Sequence, residues 1–194
     1  HGSPYTFKNN SGQQVSRLDW LQRRLQHYFI INSKKVLSPC NAMLRIVEKE
    51  IGHKLNASVI PYPVNTKYFN KNVLDKLNIK NPKINILFAS RNDPVKGGEL
   101  LVNALNQLSD KIISIIKVDF FGYQPQQNIS HLSFLHLNNF ISQNELKLVY
   151  EKADICVIPS IFDNSPNTVY EAMASGKVVI ASVVGGIPEI IGGS

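Results

Sequence analysis

Cysteine is scarce in this chain: only Cys40 and Cys156 occur in 194 residues, and neither has a second Cys or a His at ligand spacing. A disulfide framework and a spaced-ligand zinc site are therefore not expected, and two distant thiols suit a reducing compartment, the cytoplasm. His27, His53, His131 and His136 likewise show no metal spacing. No apolar run reaches the roughly 18 residues of a bilayer-spanning helix, so any membrane contact is expected to be peripheral. No signal-peptide pattern opens the chain, but it does not begin with Met, so that says nothing about a leader. The Gly-x-x-x-x-Gly-Lys-Ser/Thr phosphate loop is missing, as is any basic run interleaved with aromatics. Nucleic acid is accordingly not an expected partner.

What remains is a globular composition, 43% hydrophobic, with a formal charge of +7. The apolar content can fill a core, and the charge favours acidic partners such as a nucleotide diphosphate or anionic lipid head groups. The chain stops at Ile191-Gly192-Gly193-Ser194, just after a helix has begun, and reads as a piece of something longer.

Periodicity orders the chain. Leu18, Leu21, Leu25 and Tyr28 recur at helical spacing within residues 15–31, with Arg17, Arg23 and Arg24 on the polar side, where they are expected to be solvated. Residues 35–38 suit a short strand, and Ser38-Pro39 can cap and start a helix running to about Glu50. Pro61-Tyr62-Pro63 forbids continuous helix or central strand, so a domain boundary is expected at residues 62 and 63. Beyond it, residues 84–89, 118–121, 134–137, 154–158 and 177–182 read as strands. Residues 97–108, a segment opened by the Ser142-to-Glu145 capping box, and 166–175 read as helices. This strict alternation predicts an α/β fold with a doubly wound parallel sheet.

Residues 159–176, PSIFDNSPNTVYEAMASG, carry the most information. A buried strand ends at Pro159 and delivers the chain to a polar loop at the strand's carboxyl end, where ligands bind in open α/β sheets. Ser165 is expected as N-cap with Pro166 at the first helical position, and Gly176 as the stop. The free N–H groups of such a helix start invite a phosphate. Asp163 and Glu171 lie within two turns of it and would repel that phosphate unless they grip hydroxyls instead.

The pair Asp163 and Glu171, followed by Ala172-Met173-Ala174-Ser175-Gly176 and Val184-Gly185-Gly186-Ile187-Pro188-Glu189, resembles the signature of family-four retaining glycosyltransferases of the GT-B fold. The family has two glutamates at this spacing, so Asp163 is shorter by one methylene. The resemblance implies that Asp163 contacts donor-sugar hydroxyls and Glu171 the nucleotide's ribose. It also implies that Arg91 and Lys96, in the turn Ser90 to Gly98, neutralise the donor diphosphate together with the helix start at Ser165, Pro166, Asn167 and Thr168, with Asn164 beside them among the substrate-binding residues. Gly122 stands at the family's glycine turn, Phe140 and Ile141 at its nucleobase loop, where Asn139 replaces the usual glycine. His1 resembles the His that approaches the sugar across the cleft, or is an expression scar.

By this resemblance residues 1–62 are the tail of an N-terminal, acceptor-side Rossmann-like half, and 63–194 are a donor-binding half. The implied activity is retaining, metal-independent transfer of a sugar, of the hexosyltransferase type, from a nucleotide-sugar donor to a glycan or lipid-linked acceptor. The residues also admit a glycoside hydrolase using Asp163 and Glu171 as acid and base, an epimerase on the same fold, and a non-catalytic nucleotide-sugar binding module. A hydrolase needs no phosphate site.

Overall fold

The computed structural model describes residues 17–65 and 83–192, with the side chains of 17–19 left out. His1 lies outside the described residues. The chain divides into two compact units, residues 1–62 and 63–194.

The first unit contains α1 (Arg17–Ile31), β1 (Val36–Ser38), α2 (Asn41–Ile51) and β2 (Ala57–Val59). β1 and β2 pair in parallel, with Leu37 opposite Ser58, and α2 is the crossover between them. The cap of α2 differs from expectation. Cys40 is the N-cap, its Sγ accepting from Met43 N at 3.3 Å, while Ser38 Oγ turns to the Cys40 carbonyl at 2.7 Å. Pro39 is thus spent in the approach to the helix. The basic side of α1 is also more engaged than solvation implies, since Arg23 pairs with Glu50 at 2.5 Å and Arg24 lies over the Trp20 ring. Its apolar side is exposed, with Leu21 and Leu25 about half accessible and Tyr28 more so. A two-stranded sheet offers too little apolar surface to cover it.

The second unit is built on five parallel strands, β3 (Ile84–Ala89), β4 (Ile116–Phe121), β5 (Leu135–Asn138), β6 (Ile155–Ile158) and β7 (Val178–Ala181). They lie in the order β5-β4-β3-β6-β7. Between them run α3 (Gly98–Leu105), α4 (Asp110–Ile113), α5 (Gln143–Lys152) and α6 (Asn167–Ala174), and α7 (Ile187–Ile191) follows β7.

Both sheet faces are covered, as the alternation predicts. Adjacent residues of a strand point to opposite faces, and β3 shows it: Phe88 joins Val118, Phe120, Leu101 and Leu105, while Leu87 joins Tyr150, Cys156, Val169 and Ile187. The Phe88 and Phe120 rings sit 4.7 Å apart in a tilted pair, with Tyr123 edge-on to Phe88. Cys156 is an ordinary core residue, its thiol pushed up to about 12 by burial. The Ser142 capping box of α5 is formed in full.

Two helical segments differ from the sequence reading. Residues 97–108 do not make one helix: α3 ends at Leu105, and α4 follows from the cap Ser109. Helix α6 begins at Asn167 with Pro166, not Ser165, as N-cap and no side chain capping it. Ser165 Oγ instead shares a 3.2 Å hydrogen bond with the Tyr170 hydroxyl.

The chain passes from β3 outward through β4 to β5, then returns through α5 to β6 on the other flank of β3. The topological switch point therefore falls between β3 and β6, where a crevice opens outside their carboxyl ends.

Candidate functional site

Two turns leave the sheet side by side at that switch point. After β3, Asp93 caps a short 3-10 turn (Pro94–Lys96), its Oδ1 accepting from Val95 N at 3.0 Å. After β6, the loop from Pro159 reaches α6. The two are laced together, Ile161 N donating to the Val95 carbonyl at 2.8 Å. Gly97, at φ 75°, passes so close to the Pro159 carbonyl that a Cβ would collide with it. This is the close approach for which a left-handed glycine is required.

Across this lacing, Lys96 Nζ meets Asp163 Oδ2 at 2.5 Å, both side chains being largely buried. A third segment holds Asp163 from behind: Gly186 N donates to its carbonyl at 3.0 Å, and Gly185, at φ 53°, has no room for a Cβ against the same carbonyl. The Gly-Gly-Ile-Pro-Glu run thus has a mechanical task, fixing the backbone of a carboxylate some twenty residues earlier.

Arg91 is 70% exposed, and its guanidinium lies 3.6 Å from Asp93. It remains accessible to a solute. The N–H groups of Asn167 and Thr168 open α6 and have no acceptor four residues back within it. Asn164, Ser165 and Pro166 are buried in the approach to that helix, Asn167 is exposed and Thr168 half-buried. Asn164 Oδ1 and Ser160 Oγ are both buried without a protein partner, a condition native structures rarely leave unanswered by water or ligand.

Glu171 is one helical turn into α6 and buried. Its Oε2 accepts from the Tyr150 hydroxyl at 3.1 Å and its Oε1 from Gln143 Nε2 at 3.2 Å. Burial pushes its carboxyl above the ordinary glutamate range, and the two hydrogen bonds partly offset that. Beside it opens a pocket of about 340 Å³ lined by Asn65, Gln143, Asn144, Asn167, Tyr170 and Glu171, together with Pro63 and Val64. The wall is rich in carboxamides and has no lysine or arginine. It therefore suits hydroxyl and amide groups better than phosphate.

Gly122, at φ 74°, brings the end of β4 against the Ser90 carbonyl, 2.6 Å from where its Cβ would stand, and near the Phe140 ring. Phe140 is 76% exposed and Ile141 half-buried. The described candidates other than Asn167, Thr168 and Glu171 thus come from turns at the carboxyl ends of β3 to β6, and those three follow on α6.

Sequence reasoning passed over two contributors, Tyr150 and Gln143, and named Gly185 only as part of the family motif. Gln143 and Tyr150 are two turns apart on α5 and so share a face. A tyrosine on an apolar helix face has a hydroxyl that needs a partner, which was the available signal. Among the described residues no group of three or more His, Cys, Asp or Glu could hold a metal ion, and no helix is long and apolar enough to cross a membrane.

The chain is similar to several known proteins. Over 115 residues, 55% of the chain, it is 34% identical to an uncharacterized glycosyltransferase of Methanocaldococcus jannaschii, covering 29% of that protein. Over 141 residues, 69% of the chain, it is 29% identical to the MMP alpha-(1->4)-mannosyltransferase of Mycolicibacterium hassiacum, covering 33% of it. Sucrose-phosphate synthase of Thermosynechococcus elongatus superposes with a TM-score of 0.74 at 23% identity, over 92% of this chain and 49% of that one. HepE of Anabaena does so with 0.67 at 19%, over 86% and 49%. The chain spans about a third of the length of these curated relatives and about half of the solved chains. The likeness in structure shows the α/β, GT-B-type fold. Residues 70–193 match the family Glycosyl transferases group 1, and the chain belongs to that family.

Proposed function

We infer that this chain forms the donor-binding part of a retaining glycosyltransferase, moving a hexose from a nucleotide diphosphate sugar to a glycan or lipid-linked acceptor. The observation that carries this is the meeting of a cationic turn and a carboxylate turn at the switch point, Lys96 on Asp163, with the carboxylate of Glu171 beside an uncharged polar pocket. The names of relatives support the class: one is a mannosyltransferase, and HepE was solved with UDP and glucose bound.

In this reading Arg91, Lys96 and the N–H groups of Asn167 and Thr168 stabilise the departing nucleoside diphosphate. Fixed positive groups at a site of developing negative charge lower a barrier without reorganisation, each contributing about 3–4 kcal/mol in the strongest cases. Arginine can fork two phosphate oxygens, while lysine acts as a point charge. Asp163 orients the sugar hydroxyls, and Glu171 grips the ribose. The bond from the anomeric carbon to the phosphate oxygen breaks, and the acceptor oxygen attacks the same face. Its proton passes to the leaving phosphate. Side-chain cations meet the diphosphate charge here without a metal, so a chelator should leave donor affinity unchanged. The wider role would be synthesis of cell-surface glycan or glycolipid, carried out in the cytoplasm, at the inner face of a membrane where the acceptor is lipid-linked. In this reading residues 1–62 belong to the acceptor-side half.

A non-catalytic nucleotide-sugar binding module is the second reading, since the same cationic turn and polar pocket would hold a donor whether or not its sugar is transferred. Calorimetric titration with UDP, UDP-glucose and GDP-mannose tests the shared core of both. Micromolar to millimolar binding of at least one is expected, and failure of all three contradicts the site. Sugar transfer to an acceptor, or its absence, then separates the two.

A further inference from the structure

The ribose role proposed for Glu171 is the footing for a second assignment, on α5. Glu171 is held on both oxygens by neutral donors from that one helix, but the donors are unlike. Tyr150 is 2% exposed, its ring packed in the core with Val169 and Ala172, and it holds Oε2 from the protein side. Gln143 is exposed and stands on the pocket wall, holding Oε1 from the solvent side. The tyrosine hydroxyl has a single proton to give. The Thr168 carbonyl competes for it at 3.4 Å, and the shorter contact, 3.1 Å, is to the carboxylate. A phenylalanine would fill the same space and leave Oε2 buried without a donor, so packing alone does not explain the hydroxyl.

We propose that Tyr150 is a positioning residue for the nucleotide: it locks Oε2 of Glu171 from the core side, so that Oε1 faces the pocket and exchanges the Gln143 amide for a ribose hydroxyl. The division of labour follows from mobility. Tyr150 cannot move without opening the core, whereas Gln143, on the exposed start of α5, loses only one part-buried hydrogen bond when a ligand displaces it. The carboxylate can accept from both partners at once, having about four acceptor directions.

The test is calorimetry on the full 194-residue chain with UDP and with its dideoxyribose analogue, which lacks the hydroxyls Glu171 would grip. The unaltered chain should prefer UDP by about tenfold or more. Tyr150→Phe should collapse that preference to about threefold or less while leaving affinity for the dideoxy analogue unchanged. Glu171→Gln should collapse it too, and Tyr150→Phe added to Glu171→Gln should take nothing further, since the two act as one unit. A Tyr150→Phe chain that keeps the full preference, or that weakens both ligands equally, overturns the assignment while the ribose role of Glu171 stands. If the unaltered chain binds both ligands equally, the ribose role itself fails and this inference falls with it.

Discussion

The two carboxylates of this site are eight residues apart and live in different electrostatic worlds. Asp163 faces a lysine ammonium across two laced turns, charge against charge. Glu171 faces a phenol and a carboxamide deep against the core, with no cation on its pocket. The first corner holds its geometry by ion pairing and by glycines that let backbones touch. The second holds it by packing and neutral hydrogen bonds. The same side-chain class thus yields one group poised beside the phosphate cations and another suited to hydroxyls, because a neutral donor set leaves the carboxylate as the acceptor of choice.

The comparison can be broken most forcefully at the first corner's glycines. Gly97→Ala and Gly185→Ala each combine left-handed strain with a backbone collision, and should cost about 2–5 kcal/mol in denaturant unfolding. Gly52→Ala, at φ 87° with nothing within 4 Å, should cost only the strain, about 1–2 kcal/mol. Equal losses at all three would show that the lacing of the turns contributes nothing.

Next in size is Arg91→Ala. The side chain is 70% exposed, so stability should change by under about 0.5 kcal/mol, while affinity for a nucleoside diphosphate should fall about tenfold to a hundredfold. Asp163→Asn should act in the opposite sense on bare diphosphate: freed from its counter-charge, Lys96 should bind UDP severalfold more tightly, by about 1 kcal/mol. Weaker UDP binding in Asp163→Asn would mean that the ion pair serves to aim the lysine instead.

The smallest effect is in proton binding, and there the signs differ. Burial raises the Glu171 carboxyl, so the folded chain keeps its proton to higher pH than the unfolded chain. Its contribution to stability is fully present below the unfolded value and is lost as pH rises through the raised one. Glu145, held low by Ser142 hydrogen bonds, and Glu48, held low first by Lys54 and then by Leu55 N–H, do the reverse. Theirs is present above the unfolded value and lost as pH falls through the lowered one. Carboxyl NMR titration should place Glu171 above the ordinary value and the other two below it, and Tyr150→Phe should push Glu171 higher still. A Glu171 midpoint below that of Glu145 would contradict the account of the second corner.

Much of this was legible because it depends on local pattern. The alternation of strands and helices, the capping box at Ser142 and the turns carrying Arg91, Lys96 and Asp163 each follow from a few neighbouring residues. The two helix starts fall later than Ser-Pro implies as a cap and first position, because in both places the backbone runs on further: Cys40 caps α2, and Ser165 is taken by Tyr170. Leu108 carried the helical period past the true end of α3 since it packs on the same core from outside that helix. The exposed apolar side of α1 and the Arg23–Glu50 pair were beyond the sequence because burial is collective, decided by how much surface the neighbours offer. Tyr150 and Gln143 were missed for the same reason, since their partner is on a different helix.

The division of the donor between the two corners is tested most directly by titrating inorganic pyrophosphate and UDP into Lys96→Ala and Glu171→Ala chains. Lys96→Ala should weaken both ligands alike, about tenfold, and Glu171→Ala should weaken UDP while leaving pyrophosphate unchanged. If the two substitutions weakened both ligands by the same factor, the corners would not be distinct and the account would be wrong.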